Sequence, residues 1–410
     1  MEYPQVDVPV AGGGLLIALV ATLHVFVANF IVGGTVFLLV LERRGWEATA
    51  RAFAKTLIVT MGVVGSVTGV GIWFAILGVA PRATVELVRI FFWPLVAEYA
   101  MFVVEIVALA VVVYGWDRIR RRPWELAAAA ASWLSMAIVN GMLSFMLTSG
   151  RWPETRALGD AFFNPSYFSS LAHRALASVA VTGIGGLVFV SFRPDDEFRA
   201  RLTRLCAKWF LAPTLLQFLV GGWFLYTLRD EQRQWVLGYS ITLSMIWTGA
   251  IGLAVLLSAY VAFQGLKLGR MGPGSAALSA VMLLTVVGMM EATREAVRRP
   301  WLIDGHMYSN QILKDEVSEL NRTGVLARVP AVEPTRRGET LFRLQCRSCH
   351  TERGFVGMKY SVKGRTSEEL DLFLDKQIAR WHPFMPVFVG TPDERRTLAA
   401  YLAGLGEGRR

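Results

Sequence analysis

Cys346, Cys349 and His350 stand in the order C-x-x-C-H within "LQCRSCHTERG". In that order two thiols can add to the vinyl groups of a haem, and the adjoining imidazole is placed as an axial iron ligand. A zinc site would want a second ligand pair, and a redox dithiol of the thioredoxin kind would want a βαβ setting. The sequence offers neither, so one covalently tethered haem c is expected on Cys346, Cys349 and His350. The third cysteine, Cys206, stands alone and reads as a small buried or interfacial residue.

A second set of chemically capable side chains lies in apolar surroundings. His24, Glu98, Glu105, His173, Glu291, Arg294 and Glu295 interrupt long greasy stretches. Ionisable groups there are costly and point to function, although any one alone is as readily a satisfied contact between helices. At about 1.5 Å of rise per residue, His24, Glu98 and Glu291 reach similar depth in the outer half of their stretches. All three are potential iron ligands. His173 lies about six residues in on the fifth stretch, with Met245 about ten in on the seventh, and a His/Met pair on facing helices suits a six-coordinate haem b. Taken alone, Met245 is ordinary core packing. Glu291, Arg294, Glu295 and Arg298 share one helix face, where the arginines either neutralise haem propionates or snorkel to the surface.

The elements that must position these residues are apolar helices. The chain has 410 residues, 54% hydrophobic and 18% charged. Eight runs are long enough to span a bilayer, near 13–41, 56–80, 90–115, 125–148, 168–192, 209–227, 236–264 and 275–298. The expected fold class is all-α, a polytopic transmembrane bundle followed by a small helical domain. The domains are 1–301 for the membrane part, 302–334 for a linker and 335–410 for the haem-binding part, with short helices near 336–349, 367–380 and 392–405. The N-terminus "MEYPQVDVPVAGGG" lacks a basic n-region, so the first run reads as a retained span.

Every second connection is basic. Arg43, Arg44, Arg51 and Lys55 follow the first run, and Arg118, Arg120, Arg121 and Arg122 the third. Arg193, Arg199, Arg201, Arg204 and Lys208 follow the fifth, and Lys267 and Arg270 the seventh. The positive-inside rule puts these loops in the cytoplasm and both ends of the chain on the outer face of a bacterial inner membrane. Haem is attached to such cysteines on that face, so motif and topology agree. The net charge of +10 is thereby accounted for as orientation, and nucleic-acid binding is excluded.

Two resemblances add to this. From Thr335 the chain resembles a class I cytochrome c domain: "GETLFRLQCRSCH" is similar to its first helix and attachment site, and "HPFMPVFVGTPDERRTLAAYLAGL" to its methionine loop and last helix. The resemblance implies Met385 as the sixth iron ligand, with Met358 and His382 as competitors. Residues 13–301 resemble subunit I of the cytochrome bd quinol oxidases through "LVATLHVFVANFIVGG", "PLVAEYAMFVVEIVALAVVVYGWDR", "NPSYFSSLAHRALAS", "MIWTG" and "MEATREAVRRPW". That implies His173 and Met245 on a low-spin haem b, and His24, Glu98 and Glu291 at two further haems of b or d type. Glu98 and Glu105 are then implied as the catalytic carboxylates, with Glu105 on the proton path or near the high-spin pair. Two departures stand out: "YTLRDEQRQWVLG" replaces the family's long quinol-binding loop, and "VRRPW" replaces Gly-Arg-Gln-Pro-Trp.

Three functions follow as expectations. Electrons pass from a soluble periplasmic carrier through haem c to the haems b and on to oxygen or a similar small oxidant. Alternatively quinol reduces the haems b and haem c passes electrons outward. In the third, the chain is a non-catalytic anchor and relay. Membrane lipid and a second membrane subunit are further expected partners.

Overall fold

The computed structural model describes residues 5–194 and 196–408. Eight long helices carry the membrane part: α1 (Gly13–Arg43), α2 (Glu47–Val79), α4 (Phe92–Tyr114), α5 (Arg122–Phe145), α6 (Tyr167–Ser191), α7 (Glu197–Thr227), α8 (Ile241–Lys267) and α9 (Pro273–Arg298). Each is long and apolar enough to cross a bilayer, as the apolar runs require. A ninth, α3 (Pro81–Ile90), starts with proline at its first turn, where no helical N–H is lost. No apolar run in the sequence indicates it. Its Ala83 and Leu87 are buried with Phe91, Phe145, Trp152, Ile303 and Met307, which ties it to the ends of α4 and α5.

Small residues and aromatic rings set how the spans meet. A Cβ on Gly183 of α6 would stand 2.4 Å from the Phe210 nitrogen, and one on Gly186 2.7 Å from Cys206 Sγ. The backbones of α6 and α7 therefore approach as closely as glycine permits. Cys206 is fully buried in that seam, as expected. Next to it Phe37 meets Phe53 and Trp209 edge-on, with ring centroids 5.2 and 4.8 Å apart. Three spans begin at points other than the apolar runs indicate. α2 starts at Glu47 and α7 at Glu197, because each helix continues beyond its apolar run into a charged segment at the basic face, with Arg51 and Lys55 in α2 and Arg199, Arg201, Arg204 and Lys208 in α7. α8 starts at Ile241, since Trp235–Tyr239 forms a π turn with Gly238 at φ 155°. Met245 therefore lies one turn inside α8, shallower than the sequence indicates.

The connector after α9 is a built element. β1 (Trp301–Ile303) pairs antiparallel with β2 (Met307–Tyr308), and Asp304, His306, Asn310 and Gln311 are buried around the hairpin. Asp304 pairs with Arg229 at 2.9 Å and accepts from the Ser149 nitrogen at 3.2 Å. His306 Nε2 lies 3.0 Å from Glu86 Oε1. A short helix, α10 (Val317–Thr323), then leads to the C-terminal unit.

That unit comprises α11 (Arg337–Gln345), α12 (Ser367–Leu372), which runs through a π turn into Ile378–Trp381, and α13 (Pro392–Glu407). Leu341, Phe342, Leu370, Leu398 and Leu402 form its core. Thr391 caps α13, accepting from the Glu394 nitrogen, while the buried Glu394 carboxylate accepts from the nitrogens of Thr391, Val325 and Leu326. The unit sits where α1, α4, α6 and α8 begin, opposite the basic loops.

Candidate functional site

His24 points from α1 toward α2. Its Nδ1 is 3.1 Å from Thr68 Oγ1, and that hydroxyl is 2.7 Å from the Val64 carbonyl. The hydroxyl has one proton, which the carbonyl takes, so Thr68 accepts from Nδ1–H and the Nε2 lone pair is left free. Gly69 makes room beside the ring, since a Cβ there would stand 3.2 Å from His24 Cε1.

Glu98 and Glu105, seven residues apart, share the face of α4 that meets α5. Ser135 donates to Glu98 Oε1 at 3.0 Å. Glu105 is only 5% exposed, and its Oε1 has no hydrogen-bond partner. Ser132 stands beside it, its hydroxyl facing the Glu105 carboxylate, one turn along α5 from Ser135. Two carboxylates and two hydroxyls thus form a polar seam with unfilled hydrogen-bonding capacity.

His173 occupies the second turn of α6. Its Nδ1 is buried without a partner, its ring lies 5.9 Å from that of Phe224, and Gln217 donates to its backbone carbonyl at 2.9 Å. Gly221 faces the ring and leaves it open on that side. Beside it Arg174, Glu291 and Arg294 form a charged cluster within the span region, with Arg294 Nε 2.9 Å from Glu291 Oε2. Arg174 escaped the sequence reading although the signal was plain, an arginine inside an apolar helix next to the singled-out histidine. Glu295 accepts from Arg298 at 2.5 Å, so each glutamate of this face has its own arginine. Among the described residues no hydrogen bond or ion pair joins Glu291 to His24 or Glu98; the fold brings it to His173. Met245 is 68% exposed and lies outside the packed clusters of the described residues. It stands one turn from Gly249, whose position faces Met289 of α9.

In the C-terminal unit Cys346 and Cys349 are free thiols at the end of α11. Burial pushes the Cys346 thiol up to about 12. His350 Nδ1 is 3.2 Å from the Val356 carbonyl, which makes that nitrogen the donor and leaves Nε2 as the lone-pair site. Burial also holds His350 below its ordinary value, so the ring is neutral at neutral pH. Met385 and Met358 both border the Leu341–Leu398 core together with Cys346. His382 is packed between the rings of Phe373 and Phe384, each 5.5 Å away.

Among the described residues no three His, Cys, Asp or Glu side chains converge as a bare metal ion would need. The donors instead come singly beside glycine gaps or orphaned nitrogens. That donor set fits haem iron, whose equatorial ligands come from the porphyrin itself. His24 and His173 would hold it in the spans, and Cys346, Cys349 and His350 in the C-terminal unit.

Comparison with known proteins agrees with the membrane part. A structure described as bd oxidase from Geobacillus thermodenitrificans is similar at a TM-score of 0.59 and 16% identity, over 72% of this chain and 88% of that one. At that identity the likeness is one of fold. No curated protein sequence matches the chain. The profile of the family described as cytochrome bd terminal oxidase subunit I matches residues 14–239, a stretch that includes His24, Glu98, Glu105 and His173. The chain is a member of the cytochrome bd terminal oxidase subunit I family.

Proposed function

We propose that the chain is a respiratory subunit that takes electrons from a soluble carrier outside the membrane. They enter at the C-terminal unit and pass to haems within the spans, where oxygen or a similar small oxidant is reduced. The observation that carries this is the docking of the unit on the connection between α7 and α8. Phe384, beside Met385, packs edge-on against Trp235 at 5.5 Å, where the quinol oxidases carry a long loop. A short connection thus faces the candidate haem c instead of forming a quinol pocket.

When bound, the haems supply one-electron relay and the site of oxidant reduction. The chain's residues hold and supply them. Cys346 and Cys349 would tether the outer haem and His350 and Met385 would ligate it, His173 and Met245 would hold the low-spin haem b, and His24 with Glu98 would serve the high-spin pair. Glu291, salt-bridged to Arg294 and near His173, is a candidate ligand through its second oxygen. Glu105 and Glu98, with Ser132 and Ser135 between the helices, carry protons inward along the α4–α5 seam. The basic loops face the cytoplasm of a bacterial inner membrane, and a second membrane subunit covers part of the apolar outer surface.

The test is a spectrum of the purified protein, oxidised, reduced, and reduced with carbon monoxide, alongside haem staining of the denatured chain. Covalent stain, haem b bands, a carbon monoxide shift and oxygen uptake driven by a one-electron donor are expected. Quinol-driven reduction of haem c, blocked by a quinol analogue, would reverse the direction of flow. A chain holding two haems and binding no carbon monoxide would be the non-catalytic relay.

A further inference from the structure

The residues before α1 do not simply lead into the first span. Val6 donates its nitrogen to the Gly78 carbonyl at the end of α2 (2.8 Å), and Asp7 pairs with Arg347 inside the C-x-x-C-H motif. The Val10 carbonyl accepts from the Phe355 nitrogen at 2.8 Å. Contact there is so close that a Cβ on Gly354 would fall 2.1 Å from the Val10 oxygen, and Gly12, at φ 77°, faces Thr351. One residue beyond Phe355, Val356 adopts φ 51°. That region is strained for a β-branched side chain and persists only where surrounding contacts over-determine it. They do so here. The Thr351 hydroxyl donates to the Phe355 carbonyl at 2.9 Å, the Met358 nitrogen donates to the Thr351 carbonyl at 2.8 Å, and Val10 grips the segment from outside. The strained residue is the one whose carbonyl accepts from His350 Nδ1.

We propose that Val6–Gly12 is a strap that positions His350: it holds the Thr351–Met358 loop in the strained shape that brings the Val356 carbonyl to the imidazole. Docking of the C-terminal unit on the spans is thereby coupled to the donor strength of its candidate iron ligand. This rests on the covalent-haem function proposed above, and His350 acts there as ligand while the strap residues act through it. A hydrogen bond from Nδ1 makes the ring a stronger donor and favours ferric iron.

The test uses the full-length protein with Gly354→Ala, which wedges the strap off, and Asp7→Ala, which frees it at a half-exposed residue. Both are expected to speed hydrogen exchange at the Phe355 amide and to raise the midpoint potential of the tethered haem, with covalent haem stain unchanged. Val356→Gly, which keeps the carbonyl and removes the strain, is expected to leave the potential near that of the parent. Faster exchange with an unchanged potential overturns the strap's action on His350, and unchanged exchange overturns the strap itself. Should Gly354→Ala fail to fold, Asp7→Ala decides alone. A parent protein without covalent haem stain overturns the proposed function instead, and exchange at Phe355 still reports whether the strap is bound.

Discussion

His173 shows how one side chain reports a missing neighbour. A buried imidazole nitrogen without a partner costs free energy of about 1–3 kcal/mol, so proteins rarely leave one unless something else meets the ring. Its orphaned Nδ1 and the opening at Gly221 fit a bound haem. His173→Ala is expected to remove one noncovalent haem per chain while leaving the covalent stain intact, as pyridine haemochrome spectra would measure. Glu105 has the same character on the proton side. Glu105→Gln keeps the shape and removes the titrating group, so haem spectra are expected to hold while oxygen uptake falls by about 10²-fold or more.

Among the elements, the α6–α7 seam has little tolerance. With the Phe210 nitrogen 2.4 Å from where a Cβ on Gly183 would stand, the relief must come from backbone. Gly183→Val is expected to destabilise the bundle by about 1–3 kcal/mol, seen as a lower thermal midpoint in detergent. Cys206 in the same seam should stay unreactive to thiol reagents in the folded state, because it is fully buried there. The hairpin β1–β2 is held by a different kind of force. His306 donates to Glu86 and, with Arg89 and Arg156 nearby, holds that carboxyl below its ordinary value despite partial burial. A depressed folded-state value contributes stability above the ordinary glutamate range, which is lost as pH falls through the folded value. Acidification below pH about 4 is therefore expected to loosen the hairpin before the spans melt, as proteolysis between Pro300 and Leu320 would show.

At the scale of the whole molecule, the C-terminal unit is fastened at several separate places. The strap meets Arg347 and Phe355, the hairpin segment meets Gln345 through Asn310 at 3.3 Å, and Trp235 meets Phe384. Many small contacts of this sort fix orientation more than they add stability. Trp235→Ala removes an edge-on aromatic pair worth about 0.5–1.5 kcal/mol. It is expected to slow reduction of the membrane haems by way of the C-terminal unit, while reduction by a small donor that reaches them directly stays unchanged. Stopped-flow spectra separate the two.

Local pattern was enough for the spans, for the C-x-x-C-H motif and for the lone burial of Cys206, because apolar run length, ligand spacing and absence of partners are properties of neighbouring residues. His24, Glu98, Glu105 and His173 were legible for the same reason: a polar residue in a greasy helix stands out without knowing its neighbours. Which of them meet was not. Glu291 reaches His173 and Arg174, Met245 lies outside the core, and the segment after Pro300 is a buried hairpin where the sequence indicated only a linker. Those facts depend on how helices far apart in the chain turn their faces toward one another. The strap is the plainest case, since residues 6–12 and 347–357 share no sequence signal and meet only when eight spans have packed.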